Sequence, residues 1–420
     1  MRYFLSILIV ITSLFANEDI KLLELAYKHG LKPVPRDFAS LMQMLHLDPK
    51  DITQAKIKLG KKLFFDKNLS LAKDISCASC HSFKKGGADA LHSARGHKNQ
   101  QNPFHLNTPT VFNTVFSKRF FWDGHSTTLQ DQAKGPLQAP FEMSISPQLA
   151  VKRVSQNEHY KKMFYEAFGD RSIHFENIVD AIASYEKTLV TRGRYDDFLL
   201  GYVDALSKKE KEGFRLFITK GCVGCHNGVG LGGGESLQKF PLVYHPIWST
   251  QSNATIEQLK QKYFQALDLI KQSNIETTTA QWKQLQLSLT DTDLQRLKNG
   301  FFDQLKAEKF LQVFTSLACL ECHESTSYSL QKEKSKIFAF PFENKGGFLG
   351  AQDTQYFRVP LLRNVVQTKP YFHNGSIEKL QTAIKLMGIH QSRVSLSEKE
   401  IEKIISFFDA LNGELVEFTY

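Results

Sequence analysis

The 420-residue sequence contains only six cysteines, three tryptophans and six methionines. All six cysteines lie in three short motifs, so none is left over for a structural disulfide. No apolar run reaches the roughly 20 residues that are needed to span a bilayer. Lysine and arginine give a net charge of +10, but they are dispersed along the chain. This distribution predicts a solvated basic surface and argues against nucleic acid as a partner.

The N-terminus has the features of a secretory signal peptide. An apolar run extends from Tyr3 to Phe15 after Arg2, and the small residue Ala16 precedes the charged residues Glu18 and Asp19. We therefore predict that residues 1–16 are a signal peptide and that the protein is exported to the periplasm. An uncleaved membrane anchor is the alternative.

Each cysteine pair belongs to a Cys-x-x-Cys-His motif, which attaches a c-type haem through two thioethers and places a histidine under the iron. A zinc site would instead bring four ligands together in paired clusters, which motifs so far apart do not provide. We predict three covalently bound haem c groups. The cysteines are Cys77, Cys80, Cys222, Cys225, Cys319 and Cys322, and the iron-ligating histidines are His81, His226 and His323.

Helical patterns surround the haem motifs. A first helix is predicted for residues 18–29, helices before the motifs at about 53–65, from Ser207 and at 309–314, and closing helices at 175–191 and 397–412. Ser207-x-x-Glu210 and Ser397-x-x-Glu400 are capping boxes, which mark helix starts. Residues 241–335 differ in composition, being rich in Gln, Lys, Thr and Leu, with helical patterns at 256–273 and 291–306.

The repeated order of helix, motif and closing helix predicts a mainly α protein with two cytochrome c-like domains and an inserted helical haem-bearing subdomain. The first domain is predicted at 17–195. The second combines 196–240 with 336–420, and the insertion occupies 241–335.

Beyond the motifs, the sequence closely resembles the bacterial dihaem cytochrome c peroxidases from about Leu59 to Gly413, apart from the insertion. The most specific segments are Phe121-Trp122-Asp123-Gly124, Glu142-Met143, Arg363-Asn364-Val365 and Pro370-Tyr371-Phe372-His373-Asn374-Gly375. The resemblance implies an enzyme that reduces hydrogen peroxide to water. It makes the first domain peroxidatic and the second an electron-transfer domain, and it implies a homodimer. The implied donor is a small cytochrome c or a cupredoxin, and the third haem adds a quinol as a candidate.

The resemblance also assigns roles near the first haem. Glu142 becomes the acid–base residue, Gln132 a further distal-pocket residue, and Trp122 the carrier of electrons between two haems. A carboxylate suits this chemistry, because a proton must move from one peroxide oxygen to the other as their bond breaks. His97 becomes the second iron ligand of the resting, oxidised enzyme. Without the resemblance, a surface position is the alternative for His97.

Two further sites follow from the resemblance. Met387 becomes the ligand opposite His226, and a His/Met pair raises the reduction potential of a haem. Core packing is the alternative for Met387. Related dihaem oxidases that act on a protein substrate have a tyrosine at this place, so Met387 favours the peroxidase. Asn107 and the carbonyls of Thr368 and Pro370 match a calcium site, for which turn formation is the alternative.

The sequence departs from the family pattern at His125, which replaces an arginine and makes any charge there depend on pH. The third haem motif is a second departure. Its sixth ligand is unidentified, and His245 is the nearest other histidine. A multihaem electron-transfer protein without peroxide turnover, and a dihaem oxidase acting on a protein, are the alternative functions.

Overall fold

A computed structural model describes residues 18–104, 106–239, 356–375, 377–392 and 394–418. The chain divides into two compact units, one comprising Met1–Phe240, Phe342–Lys385 and Leu396–Tyr420, the other Pro241–Pro341 and Leu386–Ser395. The predicted signal peptide and the third motif, with Cys319, Cys322 and His323, lie outside the described residues. The predicted domain boundaries therefore stay predictions. No helix of the described residues has both the length and the hydropathy to cross a membrane.

The described part of the chain is mainly helical, which confirms the predicted fold class. The helices are α1 (18–28), α2 (Phe38–Leu45), α3 (Gln54–Phe64), α4 (Cys77–Cys80), α5 (Leu129–Gln138), α6 (Pro147–Ser155), α7 (Glu158–Phe168), α8 (Phe175–Glu186), α9 (Arg194–Leu199), α10 (Lys208–Thr219), α11 (Leu380–Met387) and α12 (Glu398–Ala410). Two short antiparallel pairs accompany them. Strand β1 (Thr191–Gly193) pairs with β4 (Gly413–Leu415), and β2 (Leu237–Lys239) pairs with β3 (Tyr356–Arg358).

Both predicted capping boxes are present. The backbone N–H of Ser207 donates to Glu210 Oε2 at 2.7 Å, and that of Ser397 donates to Glu400 Oε2 at 2.9 Å. Each serine hydroxyl accepts the N–H of its glutamate in return. These bonds satisfy backbone donors that the first turn of a helix leaves free, so α10 and α12 begin where the sequence predicts.

The first closing helix is shorter than predicted. Helix α8 ends at Glu186 instead of residue 191, and the chain enters strand β1 at Thr191. Thr191 and Gly193 are opposite Leu415 and Gly413 in the antiparallel register of β1 and β4. The backbone N–H and C=O groups of β1 therefore pair with a strand near the C-terminus and are not available to extend α8.

Two helix crossings with glycine at the contact form the frame around the haem motifs. A Cβ on Gly60 of α3 would overlap the carbonyl of Ala181 in α8, and one on Gly213 of α10 would overlap that of Lys403 in α12. Aromatic rings support the second crossing, where Phe214 stacks on Phe407 with centroids 4.7 Å apart. Each predicted domain thus packs the helix before its haem motif against its closing helix.

A buried ion pair holds the loop after the second motif. Arg363 donates from both Nη atoms to Asp196 in α9 at 2.7 and 2.9 Å, and from Nε to the carbonyl of Val229 at 2.6 Å. Asp196 also accepts backbone N–H groups from Val34 and Gly193. Every charge of the pair is therefore satisfied, as a buried ion pair requires.

Candidate active site

The first haem motif forms a single helical turn whose side chains face a cavity. Cys77 and Cys80 are the first and last residues of α4, so they lie on one face, and both line the cavity. His81 follows directly, and its backbone N–H donates to the carbonyl of Cys77 at 2.9 Å. His81 Nδ1 lies 3.0 Å from the carbonyl oxygen of Gly87. Donation through Nδ1 leaves Nε2 with the lone pair that an iron ligand needs.

The second motif repeats this arrangement. Cys222–Gly224 forms a 3-10 turn, and His226 Nδ1 lies 3.1 Å from the carbonyl oxygen of Leu231. Burial lowers the pKa of His226 to about 4 and also lowers that of His81. Both imidazoles are therefore neutral near pH 7, which is the form that binds iron.

The cavity at the first motif encloses about 1060 Å³ of empty space, including its mouth open to solvent. Helix α5 supplies part of its wall, and α8 supplies Ile182 and Glu186. The lining includes all three predicted catalytic residues, Trp122, Gln132 and Glu142, and the predicted calcium ligand Asn107. Two thiols and a free imidazole nitrogen in one wall fit a covalently attached haem.

Glu142 is the acid of this cavity. The residue is half-buried, and desolvation raises the pKa of its carboxyl to about 7. The segment that carries it is fixed by backbone hydrogen bonds from Glu142 N–H to the carbonyl of Ala139 at 2.9 Å and from Met143 N–H to that of Pro136 at 3.0 Å. A carboxyl that titrates near neutral pH can both accept and donate a proton, as a general acid–base group must.

His97 lies on a loop that is bound to the backbone of Glu142. Its N–H donates to the carbonyl of Glu142 at 2.7 Å, and a Cβ on Gly96 would come within 2.5 Å of the Glu142 Cα. Among the described residues the cavity wall includes Gly96 but not His97, whose buried Nδ1 has no hydrogen-bond partner. Coordination of iron by His97 stays a prediction.

Trp122 joins residues from the two predicted domains. Its Nε1–H donates to the carbonyl of Asn107 at 2.8 Å, and its ring lies edge-on to His373 with centroids 6.3 Å apart. The guanidinium of Arg358 is 5.5 Å from the centre of the indole. The indole thus contacts the first haem cavity on one side and the C-terminal part of the chain on the other.

Two of the three predicted calcium ligands lie side by side. Asn107 Nδ2 is 2.6 Å from the carbonyl oxygen of Pro370, and the Asn107 backbone N–H donates to the carbonyl of His373 at 2.7 Å. Thr368, two residues before Pro370, lies against Gly86, where a Cβ would be 2.9 Å from its Cγ2. Calcium binding stays a prediction. So does ligation by Met387, the last residue of α11, which falls in the second compact unit.

Sequence reasoning missed two charged residues here, Glu186 and Arg358. Glu186 is one turn after Ile182 on the apolar face of the predicted closing helix, and a charge on such a face was the available signal. Arg358 is only 7% exposed, and burial lowers its pKa to about 10. Its buried Nε has no hydrogen-bond partner among the described residues. No sequence pattern marked this arginine.

Comparison with known proteins identifies the class. Residues 54–204 match the family model for di-haem cytochrome c peroxidase. Cytochrome c551 peroxidase of Pseudomonas aeruginosa is 30% identical over 392 residues, covering 93% of this chain and 86% of that protein. Methylamine utilization protein MauG of Methylorubrum extorquens is 37% identical, but the match covers only 43% of this chain. The fold matches the crystal structure of a MauG-like protein associated with microbial copper homeostasis, with a TM-score of 0.57, 20% identity and coverage of 87% of this chain and 92% of that one.

The helical fold and the two cysteine-histidine sites define a c-type cytochrome with an enzyme-like cavity. The chain belongs to the dihaem cytochrome c peroxidase family. It is a haem-dependent peroxidase, an oxidoreductase that reduces peroxide with electrons from outside.

Proposed function

We propose that the protein reduces hydrogen peroxide in the periplasm, with Glu142 as the acid–base residue beside the haem of Cys77, Cys80 and His81. The observation that carries the proposal is the position of Glu142 in the cavity of these three residues, with a pKa of about 7. The bound haem supplies the iron that binds peroxide and the electrons that reduce it. The residues of the chain orient the peroxide and move its proton.

Glu142 moves the proton on which cleavage of the peroxide depends. Its carboxylate accepts the proton of one peroxide oxygen and returns it to the other, so that the second oxygen leaves as water. The net reaction consumes two electrons and two protons for each peroxide and yields two waters. Gln132 lies in the same wall and offers an amide that can orient peroxide without changing its own protonation.

Trp122 carries electrons from the haem of Cys222, Cys225 and His226. Its hydrogen bond to Asn107 fixes the indole, which contacts the first cavity and lies against His373. Met387 would hold the iron of that haem together with His226, and a His/Met pair would raise its potential, as suits the site that collects electrons. This order of haems follows the family resemblance.

Arg358 supports the presence of a haem beside Trp122. A buried guanidinium without an anion is costly, and no carboxylate of the described residues pairs with Arg358. Haem carries two carboxylates of its own. One of them would neutralise this charge and hold the cofactor in place.

The remaining parts of the proposal come from the sequence. The signal-like N-terminus supports export, and Cys319, Cys322 and His323 support a third haem that passes electrons onward. A cytochrome c, a cupredoxin or a quinol is the donor, and the protein acts as a homodimer. The neighbouring positions of Asn107 and Pro370 support a calcium ion whose oxygen ligands also include Thr368.

Replacing Glu142 by glutamine tests the proposal. Glu142→Gln removes the proton carrier without touching an iron ligand, so peroxide turnover with a reduced cytochrome should fall by about 10² to 10⁴-fold. The haem spectra should not change. In the wild type the rate should fall as the pH drops below about 7, because a protonated Glu142 cannot accept a proton. The variant should lack this dependence.

Glu166→Gln, at an exposed position in α7, is the matched control and should leave turnover unchanged. Retention of activity within about threefold in Glu142→Gln would show that another group moves the proton. A wild type with attached haem but no peroxide turnover would favour the electron-transfer alternative.

A further inference from the structure

The first haem cavity contains a second buried carboxyl, Glu186. It is the last residue of α8 and lines the cavity one helical turn after Ile182. Only 6% of the residue is exposed, and its buried Oε2 has no hydrogen-bond partner among the described residues. A buried, unpaired carboxylate is costly, so the environment favours the protonated form.

Lysines near Glu186 do not neutralise it. Lys187 follows in the chain and lowers the pKa of Glu186, but within the described part of the chain the two form no ion pair. Lys56 of α3, which packs against α8, is paired with Asp180 at 2.9 Å. Desolvation outweighs the effect of Lys187 and raises the pKa of Glu186 to about 8.

In the described part of the chain, the other elements packed on α8 do not offer it a partner either. Asp131 of α5 is exposed, and Arg153 of α6 donates to the backbone carbonyl of Ser70 at 2.6 Å. Inside the cavity, burial raises the pKa of both cysteine thiols. Glu186 adds to the rise at Cys77, whereas Asp89 and Glu142 add to it at Cys80.

We propose that Glu186 binds one proton when an electron enters this cavity and releases it when the electron leaves. The inference rests on the haem attachment at Cys77, Cys80 and His81 that the proposed function contains. An added electron makes the cavity more negative by one charge, and in a desolvated space this raises the proton affinity of a nearby carboxyl. The electron comes from the donor of the peroxidase and the proton from solvent, so charge in the cavity is conserved.

The expected signature is a reduction potential that depends on pH. Glu186 has a lower pKa when the iron is oxidised and a higher one when it is reduced. Between these two values reduction takes up a proton, so the potential falls as the pH rises. Outside the interval the potential is independent of pH. The haem of His226 lacks this neighbour and serves as an internal reference.

Spectroelectrochemical titration of the full-length protein at several pH values between about 6 and 10 tests this proposal. The wild type should show the slope at the haem of His81. Glu186→Gln, nearly the same size, should lose its own share of the slope and keep only that of Glu142, whose carboxyl lines the same cavity. Glu142→Gln/Glu186→Gln should show a flat potential at that haem. Glu176→Gln, at an exposed position on the same helix, is the matched control and should retain the full slope. An unchanged slope in Glu186→Gln, or no slope in the wild type, would overturn the proposal.

Glu186→Asp covers the case in which the glutamine variant fails to load haem. It keeps a titrating carboxyl but moves it, so the pH interval should shift, and an unchanged interval would also overturn the proposal. Peroxide turnover of the same samples separates the two hypotheses. Loss of the slope in a protein that does not reduce peroxide would leave this inference standing and remove the proposed function.

Discussion

His81 and His226 direct one ring nitrogen to a backbone carbonyl, at 3.0 and 3.1 Å, so the orientation of each imidazole is set before any iron is bound. Two carboxyl groups also have their properties set by the surrounding protein. Glu142 and Glu186 line one cavity, and desolvation raises their pKa values to about 7 and about 8. Each of these two carboxyls therefore exchanges protons near neutral pH.

We predict that His97 gates the site. Its backbone is bound to the Glu142 carbonyl, whereas its buried Nδ1 has no partner among the described residues that would hold the ring. If His97 occupies the iron of the oxidised enzyme, His97→Ala should turn over peroxide without prior reduction. The wild type should need one electron first and show a lag in a stopped-flow assay.

The control for this variant is His159→Ala, at an exposed position on α7, which should retain the lag. Oxidised wild-type protein that reacts at full rate from the start, together with no effect of His97→Ala, would place His97 outside the coordination of iron.

Arg358 should tune the potential of a neighbouring haem. Removing its positive charge in Arg358→Gln stabilises ferric iron, so the potential should fall. The shift should correspond to about 1 to 2 kcal/mol for charges about 10 Å apart at an effective dielectric constant of about 20. Arg171→Gln is a matched control, since Arg171 also lies over an aromatic ring, that of Tyr165, at 5.7 Å. Equal potentials in all three proteins would argue against a haem carboxylate at Arg358.

At the scale of secondary structure, the helix before each of the two described haem motifs crosses its closing helix at a glycine. Helix α3 crosses α8 at Gly60, and α10 crosses α12 at Gly213. Each crossing brings two backbones so close that a single methyl group would collide with a carbonyl. The contact therefore depends on the absence of a side chain at these two positions.

Gly213→Ala should destabilise the domain of the second haem. The new methyl group must displace the carbonyl of Lys403, and overpacking of this kind costs about 1 to 3 kcal/mol in the free energy of unfolding. Denaturant unfolding followed by circular dichroism measures the loss. Gly234→Ala is the control, because a Cβ there meets no atom within 4 Å. Equal stability of the two variants would show that the helices shift apart at little cost.

At the scale of the whole molecule, we predict that each of the three motifs carries one haem. Intact mass spectrometry of the mature protein should show a mass increase of three haems. The double variant Cys319→Ser/Cys322→Ser should carry two haems and retain peroxide turnover with a directly reducing donor. A wild type with only two haems would leave Cys319 and Cys322 unused and remove the third haem from the electron route.

The sequence alone determined the features that depend on neighbouring residues. Five consecutive residues suffice for haem attachment, and a serine three residues before a glutamate suffices to start α10 and α12. The match to the family segments predicted the side chains that line the cavity, and the structure brings Trp122, Gln132 and Glu142 there. These motifs can be recognised because their chemistry is local or their order along the chain is distinctive.

Tertiary structure decided the features that depend on distant parts of the chain. Helix α8 ends at Glu186 because β1 pairs with β4 from the C-terminal end. The same ending leaves Glu186 in the haem cavity, where packing removes water from its carboxyl and raises its pKa to about 8. Arg358 is buried over Trp122 only because β3 returns beside that loop. Burial depends on contacts that form only in the folded chain. Composition and spacing therefore could not predict that Glu186 and Arg358 are buried.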